Sequence, residues 1–110
     1  MIKITNKTIG IVIINCLAFL ILFLFQSNLV RTLALSVLFI SSVYILDKKN
    51  LLFYLVACIG APLSEAVIMK ISKNVWEYKN PNIIGIPYWL FPLWGTVIIC
   101  WVGLYEIYKQ

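Results

Sequence analysis

Glu65 is where any chemistry in this chain must start, because it is a lone carboxylate inside an otherwise apolar run, residues 51–71, long enough to cross a bilayer. An ionisable group at membrane depth is costly, and it marks a ligand or proton site or an internal fastening between helices. At about 1.5 Å of rise per residue, Glu65 lies roughly 9 Å inside the end of its run. The next apolar run begins from the same side at Pro87, which puts Trp94 at matching depth with an indole N–H that has few partners in lipid. The same count from Leu29 places Ser36 near that depth and Arg31 roughly 3 Å in, making Arg31 the one cation expected to reach Glu65. Three roles stay open for the carboxylate. It fastens helices, paired with Arg31 or protonated and bonded to Ser36 or Trp94. It titrates or binds a ligand in a cavity, its protonation favoured by desolvation. Or it faces a partner subunit.

The elements that must position these residues are helices in lipid. Of 110 residues, 63% are hydrophobic and only 12% are charged, which excludes an ordinary soluble domain. A hydrocarbon core about 30 Å thick takes on the order of 20 apolar residues per crossing, so the length accommodates about four crossings and no separate soluble domain. The expected helices are 8–25, 29–46, 51–71 and 87–108, an all-α, up-down-up-down bundle in a single integral membrane domain. Gln26, Ser27 and Asn28 join the first pair as a helical hairpin, Asp47 to Asn50 form the next turn, and residues 72–86 make a fifteen-residue interfacial loop. Lys3 and Lys7 before the first run imitate a secretory leader, but no small-x-small cleavage site follows, so an uncleaved first helix is expected.

The net charge of +5 is spread along the chain at expected helix ends, which suits contact with membrane lipids and argues against a nucleic-acid partner. Lys3, Lys7, Lys48, Lys49 and Lys109 fall on one side of a four-crossing topology, and Arg31, Lys70, Lys73 and Lys79 on the other. That bias favours cytoplasmic N- and C-termini in a cell inner membrane and an outward-facing long connection. Cys16, Cys58 and Cys100 sit in three separate runs, and the chain has no histidine, so they are expected to be small buried apolar residues. No metal and no cofactor is expected. One carboxylate without histidine or a second paired acid is a thin catalytic set, with Glu77 and Glu106 expected near opposite surfaces, and the balance is against an enzyme.

Further features bear on whether Glu65 has a cavity. Pro62 removes a backbone donor in helix three, and Pro92 would do the same to the Tyr88 carbonyl in helix four, so bends at neighbouring depths are expected. Ala57, Gly60, Ala61 and Ser64 form a small-residue side on helix three that would admit another helix or serve as a homodimer seam. Tyr88, Phe91, Trp94, Ile98, Trp101, Tyr105 and Tyr108 make an aromatic stripe along helix four, expected to pack on helices one and two or to line a groove for an apolar ligand. Trp76, Glu77, Tyr78, Asn80, Pro81 and Asn82 suit a connection that folds back on the membrane as an interfacial anchor or as a lid over Glu65.

The block WEYKNPNIIGIPYWLFPLWG, Trp76 to Gly95, with Glu65 upstream, resembles small uncharacterised bacterial membrane proteins that carry Trp-x-Tyr, Gly-Ile-Pro-x-Trp and Pro-x-Trp-Gly. The resemblance implies no activity, but it groups Glu65, Trp76, Tyr78, Pro87, Trp89 and Trp94. Gly60-Ala-Pro-Leu-Ser-Glu65-Ala-Val with Met69-Lys70 is locally similar to the glutamate helix of the small multidrug resistance transporters, although their glutamate lies in the first helix and this one in the third. The leading expectation is a binder of a lipid-like or hydrophobic small molecule between helices three and four, using Glu65, Trp94, Ser36, Arg31, Trp76, Tyr78 and Trp89. The alternatives are a proton-coupled exporter acting as a homodimer and a non-catalytic subunit of a membrane complex.

Overall fold

The computed structural model describes residues 6–72, 76–78 and 80–109. Four helices, α1 (Asn6–Leu24), α2 (Asn28–Leu46), α3 (Leu51–Ile71) and α4 (Leu90–Tyr108), form an up-down-up-down bundle without strands among the described residues. All four are long and apolar enough to cross a membrane.

The polar links end the helices by satisfying their free backbone groups. Ser27, in extended conformation, caps α2 by accepting from the Val30 amide at 3.4 Å. Arg31 closes the other side of the same link, where its Nε and Nη2 donate to the Phe25 and Leu22 carbonyls at 2.6 and 2.8 Å. At the opposite end, Asp47 accepts from Asn50 Nδ2 at 2.9 Å and from the Tyr54 hydroxyl at 2.7 Å, tying the single 3-10 turn Lys48–Asn50 to α3.

α4 is the central helix. It packs against α1, α2 and α3, whereas α3 leans chiefly on α4. Its spanning window is 44% buried, against 17 to 22% for the other three helices. Two glycines make this close approach possible. A Cβ on Gly95 would stand 2.5 Å from the Phe39 ring of α2, and one on Gly103 would stand 2.8 Å from Ile11 Cδ1 of α1. The small-residue side of α3 does not serve this purpose: Gly60 and Ser64 are exposed, and nothing lies within 4 Å of a Cβ built on Gly60.

Other local expectations change for physical reasons. Helix four begins at Leu90 rather than Pro87, since Pro87 to Trp89 form a turn in which the Leu90 amide reaches the Pro87 carbonyl at 3.2 Å. Pro92 therefore sits in the first turn, where its missing N–H breaks no helical bond. The aromatic stripe also divides. Phe91 and Trp94 pack with Ala66, Ile86 and Leu90, between α3 and the connection rather than on α1, while Trp101, Tyr105 and Tyr108 point outward. Of the cysteines, Cys58 and Cys100 are buried, whereas Cys16 is exposed on α1, the helix with the smallest buried share.

Candidate functional site

At 100° per residue, Tyr54, Cys58, Pro62 and Ala66 form the row that α3 buries. Glu65 stands on one flank of that row, half-buried and six residues before Ile71. Its carboxylate accepts two hydrogen bonds from uncharged aromatic donors. The Tyr78 hydroxyl donates to Oε1 at 2.8 Å, and the Trp94 indole N–H donates to Oε2. One donor comes from α4 and the other from the connection, so the segment after α3 folds back along the helix to the depth of Glu65.

Tyr78 is held in turn by its neighbours. Its ring meets Trp89 edge-on at 5.9 Å and 86°, and the Trp76 side chain lies near enough to act on its hydroxyl. Burial, followed by the bond to Glu65, pushes the Tyr78 phenol well above its ordinary range, which keeps it a donor. The Arg31 guanidinium lies 5.5 Å from the Trp89 ring centroid, within cation–π range.

Of the seven residues singled out in the sequence, six therefore form one chain of contacts: Arg31 to Trp89, Trp89 to Tyr78, Trp76 to Tyr78, and Tyr78 and Trp94 through Glu65. Ser36 is half-buried in α2 and makes no hydrogen bond to Glu65 among the described residues. Arg31 reaches the cluster only through the Trp89 ring. Its Nε and Nη2 are engaged by the Phe25 and Leu22 carbonyls at the end of α1, and it forms no ion pair with Glu65 among the described residues. Among the described residues the one ion pair joins Lys109 to Glu106 at 3.8 Å, at the other end of the bundle.

Sequence reasoning missed the asparagines that anchor the connection. Asn28 at the start of α2 donates through Nδ2 to the Asn80 carbonyl at 2.6 Å and to Asn82 Oδ1 at 3.1 Å, and its Oδ1 accepts from Trp89 Nε1 at 3.2 Å. Asn82 Oδ1 also accepts from the Tyr88 amide at 2.9 Å. These residues read locally as turn formers. Their pairing across more than fifty positions leaves no local pattern. The Asp47–Tyr54 bond was missed likewise, although Asp47 seven residues before a tyrosine at a helix start was a usable signal.

Beyond Asn82 the chain makes a tight reversal, with the Ile86 amide bonded to the Ile83 carbonyl at 2.8 Å and the Ile83 amide to the Ile86 carbonyl at 3.0 Å. Its central residues, Ile84 and Gly85, have φ of 42° and 84°, the mirror-image turn that glycine suits and a β-branched residue does not. This reversal drives Ile86 fully into the contact with Ala66 and Leu90 and thereby seats the connection on α3 and α4.

The fold and the site define a small, helical, multi-pass membrane protein with a carboxylate-centred polar node near one end of the bundle. No family model matches the chain, and no curated protein or solved structure is significantly similar to it.

Proposed function

We propose that the protein binds a lipid-like or other hydrophobic small molecule whose polar end is oriented by Glu65, with the connection as the cover of the site. The observation that carries this reading is the pair of neutral donors on the carboxylate. Tyr78 and Trp94 satisfy Glu65 without neutralising it, and two oxygens offer roughly four acceptor positions, so the carboxylate can still accept from a ligand hydroxyl or amine. Tyr78 belongs to a segment outside the helices, so its replacement by a ligand donor exchanges one hydrogen bond for another without unpacking the bundle. The likeness of the Trp76 to Gly95 block to small bacterial membrane proteins supports the same grouping of residues. By the lysine bias, the termini face the cytoplasm and the covered site faces outward.

Protein extracted in mild detergent should carry a bound small molecule detectable by mass spectrometry. Glu65→Gln should lose it while inserting and accumulating normally, and Arg31→Gln should retain it. The same bound molecules in wild type and Glu65→Gln would overturn the reading.

A second reading, a proton-coupled exporter acting as a homodimer, is favoured by one observation: the outward Gly60 and Ser64 of α3, which would let two copies approach closely. Cysteine cross-linking at position 60 should then trap a dimer, and reconstituted protein should move protons only when substrate is present. A protein that stays monomeric in bilayers excludes this reading.

A further inference from the structure

The flank of α3 opposite Glu65 holds a second feature. Leu63, Ala66 and Val67 line an open groove of about 740 Å³, walled by Ile84 and Gly85 of the tight reversal and ended by Met69 and Lys70. Its walls are apolar except at one end. Lys70 is exposed, stands one residue before the end of α3, and makes no ion pair among the described residues. Leu63 lies seven residues earlier, so the groove runs about 10 Å from the interfacial end of the helix toward the membrane interior.

We propose that this groove seats one anionic phospholipid, with its phosphate on Lys70 and an acyl chain along Val67 and Leu63. Three observations converge. The cation stands one residue before the end of a helix long and apolar enough to cross a membrane, and the apolar floor runs from it toward the middle of that helix, in the order of a phospholipid's own headgroup and chain. Ile84 is 60% exposed at a turn position where its φ is unfavourable for a β-branched residue, so an apolar side chain is held at the groove's edge against local preference. Gly85, required by its φ of 84°, stands over the Met69 side chain, where a built Cβ would make ordinary contact with Met69 Cε at 3.8 Å, so the reversal meets α3 through that side chain. This seat does not rest on the Glu65 reading, because the polar node lies on the other flank of α3 and none of its residues lines the groove.

The test uses the full chain reconstituted in phosphatidylcholine bilayers, with phosphatidylglycerol or phosphatidylcholine spin-labelled near the end of one acyl chain. Electron paramagnetic resonance then gives the fraction of each lipid immobilised by the protein. Wild type should prefer phosphatidylglycerol by about fivefold, the scale set by one lysine near an anionic headgroup. Lys70→Gln should bring the preference close to unity, and so should Val67→Trp, which fills the groove and keeps the charge. Lys48→Gln, at the other end of the bundle, should leave it unchanged. An undiminished preference in Lys70→Gln or in Val67→Trp overturns the proposal, as does an equal loss in Lys48→Gln, which would show diffuse attraction to a basic protein. Retention of the preference when Glu65→Gln is introduced separates this seat from the polar node.

Discussion

Replacing Tyr78 by Phe removes one oxygen and leaves the ring that meets Trp89. In the wild type that oxygen donates to Glu65 Oε1 at 2.8 Å, and both residues are half-buried. A hydrogen bond to a charged group contributes about 1.5–3 kcal/mol, and partial exposure places this one near the lower end. At about 1.4 kcal/mol per factor of ten, the population in which the connection has left α3 should rise roughly tenfold. Hydrogen–deuterium exchange in lipid nanodiscs reads this directly, because the amides of Asn82, Ile83, Ile86 and Tyr88 are all hydrogen-bonded within the connection. Exchange across residues 80–91 should accelerate about tenfold while α1 stays unchanged. Glu65→Gln combined with Tyr78→Phe should add less than the sum of the single changes, since the two groups share one bond. Unaltered exchange in Tyr78→Phe would show that the phenol does not hold the connection, and the cover described above would fall with it.

Gly95→Ala should destabilise the contact between α2 and α4 by about 1–3 kcal/mol through overpacking on Phe39, lowering the melting temperature, whereas Gly60→Ala should be neutral or slightly stabilising in a monomer because its Cβ meets open space. Asp47 has a carboxyl held below its ordinary value by bonds from Asn50 and Tyr54, so its contribution to stability is present above the ordinary carboxylate range and is lost as pH falls through the lowered folded value; Asp47→Asn should flatten the acid side of a thermal-stability profile. Tyr78 has the opposite sign. Its raised phenol contributes fully below the ordinary tyrosine range and loses that contribution only at strongly alkaline pH, so exchange of the connection should not vary through the titration of this phenol between pH 6 and about 9. Arg31→Lys should loosen the α1–α2 link in hydrogen exchange, since one ammonium cannot reproduce the guanidinium fork on two carbonyls and an indole face.

The helices were legible because each is a run of apolar residues broken by polar links, and lipid imposes a minimum length on such runs. Glu65, Trp94 and Tyr78 were legible for a related reason. A carboxylate and an indole at equal depth in lipid have few other partners, and the aromatic, turn-rich connection was the nearest polar chain. Arg31 was misplaced because rise per residue gives depth but not direction. The same guanidinium that could reach inward is needed by the open carbonyls of α1. The small residues of α3 stand out by their spacing, while Gly95 and Gly103 of α4, eight residues apart, determine the packing order. Spacing alone does not tell which face a helix buries when every face is apolar.

That last point explains why the site lies where it does. In water, the contrast between an apolar and a polar face would turn each helix toward the core, but in lipid orientation follows from close packing and from polar groups that must find partners. α4 is drawn to the centre by glycines matched to Phe39 and Ile11, and this fixes Trp94 on the side facing α3. α3 has no comparable glycine contact, so its attachment near the connection depends on Ala66 against Ile86 and Leu90 and on the two bonds to Glu65. The carboxylate is therefore both the polar centre of the site and one of the fastenings that hold α3 on α4. On the proposed reading, a ligand that competes with Tyr78 for Glu65 would alter how firmly the connection is held on α3, so binding at this node and motion of the connection would be one event seen from two sides.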